Sequence, residues 1–297
     1  MFDFRLQVFY KVAKRLNFTK AAAELHISQP AVTKHIHELE NQFKVTLFER
    51  SGNKSIVLTP AGQLMLSYAE KLMNTYQELE YDMNLLTEKH SGQLRIGAST
   101  TVAQYVIPTT LAQFHAKFRD VQVSLYTGNT EQIEQALLNK EINLGIVEGI
   151  SRNPQIKYET YLKDELVLVS ATGNRLIKKD TLKPEELKNY PLLLREPGSG
   201  TLAVITHALQ SHHIKLSDLQ IEMQLGSTES IKSYLLHSNC LAFISVQAIL
   251  KELSHNECRI IDIKGLTIER PFHLIQLHGQ PSSLSEIFLR FAKSMKG

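Results

Sequence analysis

The sequence predicts a mixed α/β protein made of three segments: a small, mainly helical N-terminal unit, a long connecting helix, and a larger unit in which strands and helices alternate. Apolar residues recur at helical spacing over residues 3–43, and they do so again, with no further proline for a long stretch, after Pro60. From Gly92 onward, short apolar runs alternate with helical stretches. The length of 297 residues suits two or three compact units.

Composition narrows the class of protein. With 43% hydrophobic and 21% charged residues, the chain falls in the range of folded globular proteins. No apolar run approaches the roughly 20 residues that span a bilayer, and residues 1–18 carry charges where a secretory signal is apolar. Two cysteines, Cys240 and Cys258, exclude a disulfide framework and suit a reducing compartment. We therefore expect a cytoplasmic protein without membrane association.

Positive charge is concentrated at the N-terminus. Residues 1–60 hold nine Lys and Arg against five Asp and Glu, a net charge of +4, whereas the whole chain carries +3 and the remainder therefore −1. A basic N-terminal unit on a nearly neutral body is typical of a unit that meets phosphates. An ordinary solvated surface is the alternative explanation of the charge alone.

Two short helices are predicted first. Apolar residues at helical spacing predict a helix over residues 3–15. Thr19 is expected to cap a second helix that ends near Leu25. The alanines at 21–23 have small side chains that let another helix approach closely, as the crossing of a helix-turn-helix requires.

A third helix is predicted from Gln29 to about Phe43, with Ser28 as its cap and Pro30 in the first turn, where a missing N–H does no harm. One face is apolar and is expected to be buried: Ala31 or Val32, Ile36, Leu39 and Phe43. The opposite face is polar: Gln29, Thr33, Lys34 and His37. In a helix-turn-helix this end of the helix enters the major groove, where Gln pairs with adenine and Lys with guanine. A merely solvated position is the alternative for Thr33 and His37.

A wing is predicted after the third helix. Residues 47–50 and 56–59 alternate in polarity like two short strands around a polar turn at 51–55. Arg50 and Lys54 in this segment are candidates for contacts to backbone phosphates.

The run FTKAAAELHISQPAVTKHIHELENQFKVTLFER, followed by LTPAG, resembles the winged helix-turn-helix of LysR-type transcriptional regulators. Length, linker and C-terminal pattern extend the resemblance over the whole chain. It implies that the residues facing the bases are Gln29, Pro30, Thr33 and Lys34, and that those holding the DNA backbone are Thr19, Arg50 and Lys54. The chain departs from the family in two ways. Many relatives carry Arg in place of Lys34, and a lysine lacks the bidentate fork with which arginine reads guanine. The wing also holds fewer arginines than is common in the family.

A long linker helix is predicted over residues 60–90. Its apolar residues keep a three-four spacing: Met65, Tyr68, Leu72, Leu79 and Leu86. A long helix with one apolar seam and no partner nearby in sequence needs a second copy to cover it, so we expect a homodimer. Packing on its own domain is the alternative. The family resemblance also implies dimers and, by their pairing, a homotetramer.

Residues 91–297 are predicted to form two α/β lobes around a cleft. The first lobe covers about 91–161 and 269–297, and the second covers about 162–268, because the last strand returns to the first lobe. This arrangement is similar to the periplasmic-binding-protein-like effector domain of LysR-type regulators. Together with a winged helix-turn-helix over 1–59 and the linker over 60–90, it completes the predicted domain organisation.

Candidate effector-binding residues lie beyond the carboxyl ends of the strands, where ligands of open sheets bind. They are Ser99, Thr100, Thr101, Gly128, Asn129, Glu148, Gly198, Ser199, Gly200, Thr201 and Thr228. Hydroxyls and free N–H groups at helix N-termini form anion sites, so we expect a small-molecule anionic effector, a carboxylate or a sulfur oxyanion. A plain N-cap is the alternative for any single hydroxyl, and Glu148 could either repel an anion or bond a hydroxyl.

Other mechanisms are less favoured by the sequence. No metal-ligand spacing and no Ser/His/Asp set stands out, so neither a cofactor nor catalysis is predicted, although enzymes share the two-lobed fold. A switch by oxidation of Cys240 and Cys258 is the more serious alternative. Cys240 opens the apolar run CLAFIS, where a buried thiol is inert, but Cys258 stands beside Arg259.

The sequence therefore predicts a transcriptional regulator and not an enzyme. It is expected to bind double-stranded promoter DNA as an oligomer and to contact RNA polymerase. An effector that binds the closed and open cleft with different affinities would shift the arrangement of the DNA-binding units.

Overall fold

A computed structural model describes residues 3–51, 55–85, 92–150, 152–279 and 283–295 of the chain. It divides into two compact units, Met1–Lys89 and His90–Gly297, which we call the N-terminal and C-terminal units. The predicted fold class is confirmed: a winged helical unit with a long helix, and a two-lobed α/β unit. Within the described residues, no helix has both the length and the apolar character needed to cross a membrane.

The N-terminal unit is a helix-turn-helix with a two-stranded wing. Its elements are α1 (Phe4–Arg15), α2 (Phe18–Glu24), α3 (Gln29–Phe43), β1 (Phe48–Ser51), β2 (Ser55–Leu58) and α4 (Pro60–Leu85). The core joins α1, α2 and α3, with Phe9, Ala21 and Val32 almost completely buried. The small Ala21 is therefore at the helix crossing, as predicted.

Two local predictions in this unit were wrong. Thr19 does not cap α2, because Asn17 does: its side chain accepts a hydrogen bond from the Lys20 N–H at 2.9 Å, and Thr19 lies exposed inside the first turn. Phe43 is 53% exposed rather than buried. The core is closed instead by the fully buried Leu47, which follows the left-handed turn at the end of α3.

The C-terminal unit is built on one continuous sheet that serves two lobes. The first lobe contains β3 (Gly92–Ser99), α5 (Thr100–Tyr105), α6 (Pro108–Lys117), β4 (Val121–Gly128), α7 (Thr130–Leu138), β5 (Leu144–Glu148) and α11 (Ser283–Ser294). The second contains β7 (Thr181–Leu182), β8 (Pro191–Arg195), α8 (Gly200–Gln210), β9 (Gln220–Leu225), α9 (Thr228–Leu236), β10 (Leu241–Ser245), α10 (Val246–Ser254) and β11 (Cys258–Ile263).

Two long strands run through both lobes and form the hinge between them. They are β6 (Ile156–Ala171) and β12 (Ile268–Leu277), which pair antiparallel from Leu277↔Ile156 to Ile268↔Leu166. The strand order is β4-β3-β5-β12-β6-β10-β8-β9. Parallel strands of both lobes thus end at the seam between them, where α5, α7, α8 and α9 begin.

Candidate DNA-binding face and interlobe site

The polar face of α3 carries an ordered pair of side chains. Gln29 and Thr33 are one turn apart, and Gln29 Nε2 donates to Thr33 Oγ1 at 2.9 Å while Thr33 Oγ1 donates to the Gln29 backbone oxygen at 3.2 Å. The second amide proton and the side-chain oxygen of Gln29 make no hydrogen bond within the described residues. These two groups are the donor and acceptor that an adenine edge pairs with.

The other predicted DNA contacts lie around this pair. Lys34 is 77% exposed and stands 4.0 Å from Glu38, and the exposed His37 places Nδ1 at 3.1 Å from Glu40. Pro30 is exposed in the first turn of α3. Arg50 belongs to β1, and Lys54 lies outside the described residues.

Glu148, at the end of β5, accepts hydrogen bonds from both lobes. Ser99 of the first lobe donates to its Oε2, and Thr201 of the second lobe donates to its Oε1 at 3.1 Å. Arg270 on β12 places Nη1 at 3.5 Å from the same carboxylate and donates to Thr201 Oγ1 at 2.6 Å. We call these four residues, all at most 4% exposed, the interlobe clasp.

A second buried carboxylate completes the charge pattern at the hinge. Arg270 Nε donates to Asp164 Oδ2 at 2.7 Å, and Ser245 donates to Asp164 Oδ1 at 2.7 Å. Asp164 lies on β6, so the two hinge strands are joined by this ion pair as well as by their backbone bonds. One guanidinium therefore serves two buried carboxylates, Asp164 and Glu148.

The lobes also meet at the starts of four helices. Thr101 on α5 and Thr228 on α9 place their hydroxyl oxygens 3.0 Å apart. Gly128 ends β4, and Asn129 caps α7 and donates from Nδ2 to the Pro197 oxygen at 3.4 Å. A Cβ on Gly200 would lie 1.9 Å from the backbone oxygen of Glu148, so only glycine permits this approach.

Several buried donors near this seam have no acceptor within the described residues. They are the Thr100 hydroxyl, the Ser199 hydroxyl, Arg195 Nη1 and Arg270 Nη2. Thr100, the first residue of α5, lies between the hydrogen-bonded Ser99 and Thr101. Arg195 Nη2 reaches the Gly226 oxygen at 3.4 Å, close in sequence to Thr228. A buried donor without a partner is unfavourable by about 1–3 kcal/mol, so such groups indicate an absent acceptor.

The structure thus divides the predicted effector residues into groups. Five bond to residues across the seam: Thr101, Asn129, Glu148, Thr201 and Thr228. Ser99 bonds to Glu148 within the first lobe. Thr100 and Ser199 are buried with free hydroxyls, and Gly198 and Gly200 line a groove with Ser199. Sequence reasoning missed Asp164, Arg195 and Arg270, because it looked for site residues in loops, whereas these three charged residues lie on strands. A charged residue within an otherwise apolar strand was the sequence feature that could have identified them.

The two cysteines are placed unfavourably for a disulfide. Cys258 lies opposite Ala171 on one side of β6, and Cys240 directly precedes Leu241, which lies opposite Ser170 on the other side of β6. Their Cα atoms are therefore roughly two strand spacings, about 10 Å, apart, beyond the ~7 Å limit for bridging. Burial raises the pKa of both thiols, that of Cys258 to about 11. Among the described residues, no group of three or more His, Cys, Asp or Glu could hold a metal ion.

Comparisons with known proteins agree with this geometry. Residues 4–63 match the family model described as bacterial regulatory helix-turn-helix protein, lysR family. Residues 87–296 match the model described as LysR substrate binding domain. The chain belongs to the LysR family of bacterial transcriptional regulators.

Similar regulators cover nearly the whole of this LysR-family chain. CysL of Bacillus subtilis, an HTH-type transcriptional regulator, is 27% identical over 290 residues, which are 97% of this chain and 96% of CysL. A probable RuBisCO transcriptional regulator of Nostoc sp. strain PCC 7120 is 32% identical over 274 residues, 91% of this chain and 81% of that protein. These relatives regulate transcription and are not named as enzymes, in agreement with the sequence prediction for this chain.

Solved structures share the fold. Full-length CbnR complexed with its target DNA superposes with a TM-score of 0.74 at 20% identity and covers 99% of both chains. The regulatory domain of Synechocystis PCC6803 CcmR in complex with 2-PG gives a TM-score of 0.62 at 27% identity, over 68% of this chain and 96% of that domain.

Proposed function

We propose that this LysR-family regulator binds double-stranded promoter DNA through α3 and the wing and binds a small anionic effector at the seam between its two lobes. The observation that carries the effector proposal is a set of three buried donors without acceptors in the described residues at that seam: the Thr100 hydroxyl, Arg195 Nη1 and Arg270 Nη2. Their hydroxyl and guanidinium groups all offer hydrogens, which suits a ligand rich in acceptor oxygens.

The DNA proposal rests on the ordered polar face of α3. Thr33 holds the Gln29 amide in one orientation and leaves a donor and an acceptor free for a base edge. Lys34 extends into solvent beside this pair and can reach guanine or a phosphate. Arg50 and Lys54, as wing residues, would hold the DNA backbone, and Thr19 on α2 is proposed for the same role.

An oligomer is proposed from the apolar seam of α4. Five large side chains at helical spacing on this helix are about half exposed or more: Leu64, Tyr68, Leu72, Leu79 and Met83. A stripe of this kind is covered when two copies pair along it. We propose a homodimer, which pairs further into a homotetramer, and a complex at the promoter that contacts RNA polymerase.

The interlobe clasp gives the effector a means of control. Glu148, Thr201 and Arg270 contact each other when the lobes lie as in this structure. Glu148 therefore holds the two lobes together and does not itself bind the effector. An anion that engages Thr100, Arg195 and the free Arg270 N–H would change the balance between closed and open lobes.

The oxidation alternative is less well supported. Cys240 and Cys258 flank the same strand at too great a distance for a disulfide, and burial keeps both thiols protonated. A ligand response that survives replacement of both cysteines by serine agrees with the effector proposal.

DNA reading is tested with Gln29→Ala and Arg50→Ala in binding titrations on an operator fragment and on an unrelated fragment. Gln29→Ala should weaken operator binding by about 1–3 kcal/mol and leave binding to unrelated DNA nearly unchanged. Arg50→Ala should weaken both about equally, with a smaller salt dependence. Equal losses on both fragments for Gln29→Ala would refute its role in base reading.

Effector binding is tested by thermal unfolding of the full chain against small carboxylates and inorganic sulfur, nitrogen and phosphorus anions. A ligand at 100 times its Kd stabilises by about 2.7 kcal/mol. Thr100→Ala should reduce the stabilisation by a hit, and Thr109→Ala, an exposed threonine on α6, should not. A screen without any hit, or a hit that both variants leave unchanged, would contradict the proposed site.

A further inference from the structure

A groove lies between α7 and α8 in the C-terminal unit. Its volume is about 700 Å³, within the range of small-molecule sites. The α7 wall belongs to the first lobe and the α8 wall to the second, and Gly198–Gly200 form the floor where the lobes touch. Thr100, Thr101 and Thr228 do not line this α7–α8 groove, so it differs from the proposed anion site.

The α7–α8 groove has an acidic lining. Two carboxylates line it, Glu131 and Glu134, and none of its described lining residues is Lys or Arg. Beside the groove, Arg152 donates to the backbone oxygen of the lining residue Gly149 at 3.2 Å, and its charge opposes the effect of burial on the pKa of Glu134. Glu131 lies against the Gly198 backbone and makes no hydrogen bond or ion pair through its carboxylate within the described residues. Glu134 accepts a hydrogen bond from the Tyr158 hydroxyl at 2.8 Å, and burial raises the pKa of this carboxyl.

Ser199 supplies an independent indication of a ligand. It is only 4% exposed, its hydroxyl has no hydrogen-bond partner in the described chain, and it lines the groove opposite the acidic wall. A buried hydroxyl without a partner is unfavourable unless something outside the protein bonds to it. Beside it, Leu202 and Ala203 of α8 and Ile150 add apolar surface.

We propose that the α7–α8 groove binds a small organic cation, whose ammonium group lies between Glu131, Glu134 and the Ser199 hydroxyl and whose apolar body lies on Leu202 and Ala203. An ammonium offers several N–H donors and takes both carboxylates and a hydroxyl as acceptors. An anion would meet two like charges here. A bare metal ion is disfavoured, because the described residues contain no cluster of three ligating side chains.

Such a ligand would regulate the same hinge as the effector. It touches α7 in one lobe and α8 in the other, so it binds the closed arrangement better than a separated one. By thermodynamic linkage, the cation and a ligand at the anion site then change each other's affinity by the same factor.

The test is isothermal titration of the full chain with 1,4-diaminobutane, butylamine and benzylamine, with 1,4-butanediol as the uncharged control. At least one amine should bind and the diol should not. Glu131→Gln, which keeps the shape of the side chain, should weaken binding by about tenfold or more, as the loss of a charge-assisted hydrogen bond predicts. Ala203→Trp should abolish binding by filling the groove.

Glu185→Gln is the matched control, an exposed carboxylate on the second lobe that is remote in sequence from the groove. It should bind the amine as the wild type does, and an anion hit should bind Glu131→Gln undiminished. The proposal is overturned if none of the three amines binds. It is equally overturned if binding persists in both Glu131→Gln and Ala203→Trp, or if Glu185→Gln weakens binding as much as Glu131→Gln does.

Discussion

Replacement of Arg270 by methionine tests whether the hinge depends on one buried guanidinium. Arg270 is 2% exposed and holds Asp164 at 2.7 Å and Glu148 at 3.5 Å, which are themselves 6% and 2% exposed. Arg270→Met leaves both carboxylates buried without a counter-charge. Breaking a buried ion pair from one side destabilises by about 3–5 kcal/mol, and we expect a loss of at least that size in the C-terminal unit.

The loss is measured by urea unfolding followed by circular dichroism, since the chain contains no tryptophan to follow by fluorescence. Arg290→Met is the control: Arg290 is 83% exposed and stands 3.5 Å from Glu286, so about 0–1 kcal/mol is expected. A double variant, Arg270→Met with Asp164→Leu, should recover part of the loss, because a buried pair can be replaced by apolar residues. If Arg270→Met loses no more than the control, the clasp does not stabilise the hinge.

Three further outcomes are expected. Gly200→Ala should lower the free energy of unfolding by roughly 1–3 kcal/mol and widen the unit in small-angle scattering, because the new Cβ would overlap the Glu148 oxygen at 1.9 Å; an unchanged variant contradicts the close approach. The pKa of about 11 for Cys258 predicts much slower alkylation by iodoacetamide at pH 8 in the native chain than in urea, and equal rates contradict its burial. Burial and nearby Arg152 lower the pKa of His273 to about 4, from about 6.5 in the unfolded chain. His273 therefore contributes fully to the free energy of unfolding above about pH 6.5, and this contribution is lost, by up to about 3 kcal/mol, as the pH falls toward 4. His273→Phe should flatten that part of the curve of unfolding free energy against pH.

The sequence alone predicted the elements whose signals are local. Ser28 and Pro30 mark the start of α3. As expected, the Ser28 side chain caps the helix and the Pro30 ring lies in its first turn. The apolar spacing after Pro60 predicted α4, which the structure describes to Leu85; Leu86 lies outside the described residues. The predictions that Phe43 is buried and that Thr19 caps α2 were wrong, because the neighbouring Leu47 and Asn17 take these two roles. The spacing of residues in the sequence does not rank such competitors.

The seam between the lobes shows what only the tertiary structure decided. Sequence patterns indicated that hydroxyls at strand ends would gather there, and Ser99 and Thr201 do meet, although through Glu148. They did not indicate Arg270, whose partner Asp164 is 106 residues away in the chain. The register of β6 against β12 sets that pairing, and register arises from the packing of whole strands. Periodicity within a segment determines its own face and length, whereas the partner of a buried charge depends on elements that meet only when the chain folds.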